Sequence, residues 1–247
     1  MKRNLERIMG GCLLGLVLLA SVYFNFESAS VQAAKIAESE KKSEAAKKES
    51  TIKKGEFTVV VDAGHGGFDP GKVGINDELE KNINLSIALK VKEKLEEQNV
   101  TVVMTREEDI ALCEENASGK KSSDMKNRIN IVNEANADAC ISIHQNSYTS
   151  KEVKGAQVFY YSKSEQGKKL AEMIQASLKE TLADGNKRVE KSNDNYYILL
   201  KAECTSVIVE CGFLSNWEDA TNLKDDFYQE KVADAICGAV VSFLLNI

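Results

Sequence analysis

The chain has only two histidines, and each follows an apolar run. His65 lies in Val59-Val60-Val61-Asp62-Ala63-Gly64-His65-Gly66-Gly67, and His144 lies in Cys140-Ile141-Ser142-Ile143-His144-Gln145-Asn146. Imidazole is a preferred zinc ligand, and two histidines with one carboxylate and an open fourth position form a recurring catalytic zinc site. In a chain of 247 residues, two histidines placed this way read as a pair that works together. Glu210 ends a third apolar run, Val207-Ile208-Val209-Glu210-Cys211-Gly212-Phe213. The absence of a His-Glu-x-x-His helix argues against the common metalloprotease arrangement. The residues alone leave open which carboxylate completes a metal site, because the domain offers dozens.

These side chains need elements to position them. Strands are predicted at Phe57–Asp62, Val100–Thr105, Ala139–His144, Ala156–Tyr161 and Ser206–Glu210. Most are continuous Val/Ile runs, the pattern of strands covered on both faces. Helical spacing marks Asn84–Glu97, Met125–Ala135, Gln166–Leu182 and Phe227–Leu245. Strand and helix alternate, which predicts an α/β single domain with a mostly parallel twisted sheet flanked by helices. Ligands of such sheets gather beyond the carboxyl ends of the strands. His65, His144 and Glu210 therefore converge on one edge of one sheet.

Charge and composition set the context. Hydrophobic residues make up 43% and charged residues 28%, a globular balance. The first 54 residues carry ten Lys/Arg and six Asp/Glu, so a chain of net charge −6 holds about −10 in the remainder. An acidic domain argues against nucleic acid as the natural partner, since phosphate binding needs a basic face. Residues 1–33 read as a signal peptide or N-terminal membrane anchor: Lys2, Arg3 and Arg7 precede an apolar stretch, and Val31-Gln32-Ala33 is a small-residue cleavage pattern. Residues 34–54, rich in Lys, Glu, Ala and Ser, read as a charged linker, and residues 55–247 as the catalytic domain. Basic residues stay on the cytoplasmic side, which places the domain outside the membrane. Its five cysteines, Cys113, Cys140, Cys204, Cys211 and Cys237, form no Cys-x-x-Cys pattern, and no disulfide is predicted.

Taken in order, several motifs resemble the zinc-dependent N-acetylmuramoyl-L-alanine amidases of the amidase-3 type. They are Asp62-Ala63-Gly64-His65-Gly66-Gly67, Glu80-Lys81 with Asn84-Leu85, Thr105-Arg106, Ala137-Asp138, Ser142-Ile143-His144-Gln145-Asn146, and Val209-Glu210-Cys211-Gly212-Phe213-Leu214-Ser215-Asn216. The resemblance implies that His65, Glu80 and His144 bind Zn2+ and that Glu210 is the catalytic carboxylate. It further implies cleavage of the amide between N-acetylmuramic acid and the L-alanine of the peptidoglycan stem peptide. Arg106 and Arg128 also match the family and read as structural ion-pair residues of the common, weak surface kind. Thr205 and Trp217 stand where the family commonly has proline.

Within the family, the short targeting segment, the lack of wall-binding repeats and the absence of an inserted helix between His144 and Gly155 resemble the membrane-targeted amidases of endospore formers. That subgroup implies action on cortex peptidoglycan, as the first step toward the muramic-δ-lactam needed for germination, in the space between the membranes of a developing spore. A vegetative cell-wall amidase (autolysin) is the first alternative. Another extracytoplasmic zinc hydrolase such as a carboxypeptidase is the second alternative, and a wall-binding or signalling module that kept the fold without activity is the third. With no wall-binding domain, positioning could depend on the anchor or on an extracytoplasmic helper protein.

Overall fold

A computed structural model describes residues 52–114 and 117–247. The targeting segment and nearly all of the linker lie outside the described residues. The compact unit runs from Ile52 to Ile247, and Ile52 is itself buried in the main core.

The Val/Ile runs become strands β1 (Thr58–Ala63), β2 (Thr101–Met104), β3 (Ala139–Asn146), β4 (Gln157–Tyr160), β5 (Lys191–Ser192) and β6 (Thr205–Phe213). They form one sheet in the order β2-β1-β3-β6-β4-β5. The helices are α1 (Glu80–Glu97), α2 (Lys120–Glu134), α3 (Glu165–Leu182), α4 (Tyr197–Lys201), α5 (Trp217–Lys224) and α6 (Asp226–Leu244). The predicted α/β class holds. β3 and β6 run past His144 and Glu210, which therefore lie inside strands. α1 starts at Glu80, ahead of the predicted Asn84.

Strand alternation sorts side chains to two cores. Val59, Val61, Ile141, Ile143, Val207 and Val209 face α1, α3 and α6. Val60, Cys140, Phe159 and Ile208 face the opposite way, toward Ile129 and Val132 of α2 and Ile198 and Leu199 of α4. Among the described residues no helix is long and apolar enough to cross a membrane. All five cysteines of the domain are free thiols.

β2, β1, β3 and β6 are mutually parallel, but β4 is antiparallel to β6 and carries β5 parallel to itself. The cause lies between β3 and β4, where there is no helix. A parallel neighbour needs a crossover that returns the chain to the starting edge. Here the chain stays at the carboxyl edge of β3, passes β6 and runs back down as β4. The beginnings of β4 and β5 thus share an edge with the ends of β1, β3 and β6.

Candidate metal centre and active site

β1 ends at Ala63, and His65 follows in a left-handed conformation with φ 61°. A non-glycine residue there is strained by about 1–3 kcal/mol. Two buried arginines hold it. Arg128 donates to the carbonyls of Ala63 (2.9 Å) and His65 (3.1 Å). Arg106 donates to those of Ala63 (2.9 Å) and Gly64 (3.0 Å). Arg128 is 2% exposed and pairs with Asp62, itself 1% exposed, and with Asp124 at 3.1 Å. The expectation of weak surface pairs is therefore corrected: both guanidiniums are interior struts of the loop that carries His65. Burial disfavours the charge of Asp62, yet Arg128 holds its carboxyl below the usual range.

Glu80 is the first residue of α1, where the helix dipole favours a carboxylate. The Lys72 amide donates to its Oε2 at 2.7 Å, and the Gln145 amide to its Oε1 at 3.1 Å. That same Oε1 lies 3.2 Å from His65 Nε2 and 3.0 Å from His144 Nδ1. Burial works against its charge, but the His144 and His65 rings beside it hold the carboxyl well below the usual range. The other nitrogen of His65, Nδ1, bonds Asp69 Oδ2 at 2.9 Å. The far edge of the His144 ring packs on Gly64, where an added Cβ would sit 2.3 Å from Nε2. Each ring therefore presents one nitrogen to Glu80.

The ligand atoms of His65, Glu80 and His144 all lie within 4.8 Å of one another. Tetrahedral zinc with bonds of about 2.0–2.1 Å separates its ligand atoms by about 3.3 Å, close to the two contacts of Glu80 Oε1. Two imidazoles and a carboxylate form a donor set that suits this ion.

Glu210 is not part of that triad but stands beside it. In the parallel ladder Glu210 pairs with His144, and on its other side Gln157 of β4 pairs with Glu210. His144, Glu210 and Gln157 form one row across the same face, in strands about 4.8 Å apart. Tyr196 reaches Glu210 Oε1 at 3.4 Å, while Oε2 is buried with no partner. An unpaired buried carboxylate oxygen next to the triad suits a group that handles a proton there. Burial pushes the Glu210 carboxyl up to about 7; His144 opposes this and Glu80 adds to it. Past Glu210 the β3–β6 register slips, so Asn146 faces Phe213. This bulge brings the Phe213 ring onto the face of the site.

All four predicted residues thus meet at one edge. Asp69, Tyr196 and the buried role of both arginines escaped the sequence reading. Asp69, four residues after His65, carried a usable signal: metal-binding histidines commonly donate their second N–H to a carboxylate. Tyr196 carried none, because its contact is made only in three dimensions.

An α/β sheet with two imidazoles and two acidic side chains assembled at its carboxyl edge defines the class: a hydrolase with a candidate metal site. The chain belongs to the Amidase_3 family, N-acetylmuramoyl-L-alanine amidase, which it matches over residues 59–242. It is an N-acetylmuramoyl-L-alanine amidase that acts on peptidoglycan. It is 36% identical over 188 residues to the germination-specific N-acetylmuramoyl-L-alanine amidase of Bacillus subtilis, covering 75% of this chain and 78% of that protein. It is 32% identical to the amidase LytC of the same organism over 75% of this chain, though only 35% of LytC. Among solved structures, the CwlD amidase of Clostridioides difficile in complex with the GerS lipoprotein is similar at TM-score 0.74 and 39% identity, covering 76% of this chain and 98% of that one.

Proposed function

We propose that this amidase is zinc-dependent, with His65, Glu80 and His144 as ligands and Glu210 as the catalytic carboxylate, and that its substrate is spore-cortex peptidoglycan. The observation that carries the reading is the convergence of two imidazole nitrogens on Glu80 Oε1, at 3.2 and 3.0 Å, one strand away from the unpaired Glu210 Oε2. Bound zinc would polarise the scissile carbonyl and acidify water, effects worth several kcal/mol. Glu210 takes the proton of the attacking water and returns it to the departing L-alanine nitrogen, a step usually worth about 10²- to 10⁴-fold. Its raised affinity for protons, caused by burial, suits both halves of that task. Asp69 fixes the His65 ring so that Nε2 faces inward.

The cortex assignment is supported by likeness to the germination-specific amidase and to CwlD. It makes the reaction the first step toward muramic-δ-lactam. Residues 1–33 would target the chain or anchor it, residues 34–54 would act as a spacer, and the catalytic domain would work outside the membrane. Since CwlD was solved with a lipoprotein, an extracytoplasmic lipoprotein is the helper this chain would use.

The test is to incubate the purified protein with peptidoglycan after chelation and again after zinc is restored, beside Glu210→Ala. Products are read by mass spectrometry. Free stem peptides with a new L-alanine amino terminus, seen only with zinc and intact Glu210, are expected. Equal release by Glu210→Ala, or release that ignores chelation, overturns the assignment.

A further inference from the structure

We propose that Arg188 forms a subsite for a free carboxylate of the stem peptide, on the leaving-group side of the scissile amide. The inference rests on the reading of Glu210 as the group that returns a proton to the departing nitrogen. The peptide continues from that nitrogen. Across the sheet the row runs His144, Glu210, Gln157. With the metal ligands on one side of Glu210, the peptide is directed to the other, over Gln157. Arg188 lies immediately beyond, because the segment that enters β5 begins at the same edge as β4.

The guanidinium is fixed before any ligand arrives. Its Nε donates to the Lys154 carbonyl at 2.9 Å and its NH1 to Gln157 Oε1 at 3.2 Å. Its Cζ lies 4.5 Å from the centre of the Phe213 ring, whose residue follows the β6 register shift. Among the described residues NH2 has no hydrogen-bond partner, and no carboxylate pairs with Arg188. The other two arginines of the domain differ. Arg128 is matched by Asp62 and Asp124, and Arg106 directs every nitrogen at a backbone carbonyl.

The cleft around Arg188 has a volume of about 390 Å³. Glu152, Asp184 and Lys187 also line it, and Lys154 is tied to Glu218 at 2.6 Å, so acidic and basic groups nearly balance. The cleft is therefore not a general basic field. A domain of about −10 net charge repels an acidic peptide unless a fixed cation receives it. A partly buried guanidinium with a spare nitrogen, placed over an aromatic ring, is such a receiver. The carboxylate nearest the scissile bond in a stem peptide is the free α-carboxylate of its second residue, isoglutamate. In many walls that group is amidated to isoglutamine, so the subsite would discriminate between the two forms.

The experiment compares kcat/KM on two glycan substrates that differ only in isoglutamate or isoglutamine at the second position. Wild type and Arg188→Ala are measured with zinc, and Arg188→Lys, which keeps the charge, is measured beside them. One charge-assisted hydrogen bond predicts a wild-type preference of about 10- to 100-fold for the free acid. Arg188→Ala should bring that ratio close to one, mainly through KM, and Arg188→Lys should recover part of it. A wild-type ratio near one, or the same ratio in Arg188→Ala, overturns the subsite while leaving the amidase reading intact. Failure of wild type to release peptide from either substrate, with the lipoprotein helper supplied, overturns the zinc and Glu210 assignment on which the subsite rests. A ratio is insensitive to loss of folded protein, since both substrates see the same enzyme.

Discussion

Arg128→Met removes a charge while keeping most of the side-chain volume, and its consequence follows from burial. Asp62 is 1% exposed and Arg128 2% exposed. Truncating one partner of such a pair leaves the other as an uncompensated interior charge, at about 3–5 kcal/mol. Asp62 keeps bonds from Ser142 and Thr105, but both donors are neutral. For a domain of roughly 150–250 residues, 1 kcal/mol shifts Tm by about 2–4 °C, so the expected fall is about 6–20 °C. An exposed pair would cost at most about 1 kcal/mol.

Thermal and urea unfolding of the metal-free protein measures the loss, and Asp62→Asn/Arg128→Met tests its cause. With both charges gone, the double variant should be more stable than Arg128→Met alone. A loss below about 1 kcal/mol, or a double variant no better than the single, would refute the account of an interior strut. The substitution also frees the carbonyls of Ala63 and His65. Zinc affinity should fall with it, by the roughly 10- to 100-fold typical of groups that orient a ligand.

Asp69→Asn weakens the hold on His65 Nδ1, so a chelator competition should show zinc affinity about 10- to 100-fold lower with little change in the melting of the metal-free protein. Gly64→Ala would place a Cβ 2.3 Å from the His144 ring; displacement of the ring should abolish zinc binding in the same titration, and wild-type affinity would count against this packing. Glu210 has a folded-state pKa of about 7, above its ordinary 4.5, so its contribution to stability is complete below 4.5 and is lost as pH rises through 7. Metal-free Glu210→Gln should therefore be more stable than wild type near pH 8, by about 3 kcal/mol, with the gap closing as pH falls toward about 4.5; a gap independent of pH would contradict the burial argument.

The sequence discloses the convergence of His65, His144 and Glu210 because strand register is a period-two code. Valine-rich runs fix which residues are strands, and the parallel connection fixes which ends share an edge. Glu80 is different. No periodicity marks it, and only motif resemblance picks it out, because its position is set by the turn from Gly66 to Leu79 that closes back on His65. The antiparallel β4 was readable in principle. No helical pattern separates His144 from Gly155, and a chain without a crossover has to reverse. The two arginines were misjudged for an opposite reason. Arginine is usually exposed, and nothing local to Arg106 or Arg128 reveals that the carbonyls of residues 63–65 lie within reach.

The same distinction explains why stability and chemistry are coupled here. His65 holds its positive φ in a loop whose carbonyls at Gly64 and His65 are bound by Arg106 and Arg128. Arg128 can be buried only because Asp62, within β1 itself, is ionised beside it. The strand that begins the core therefore also supplies the countercharge that shapes the metal loop. A substitution that relaxes the Asp62–Arg128 pair should lower metal affinity even though neither side chain is a proposed ligand. The Gln157–Arg188 contact lies three strands away, beyond β3 and β6, and shares no partner with that pair. Energetic effects at sites so separated usually add, so metal affinity and peptide selectivity should respond independently to substitution.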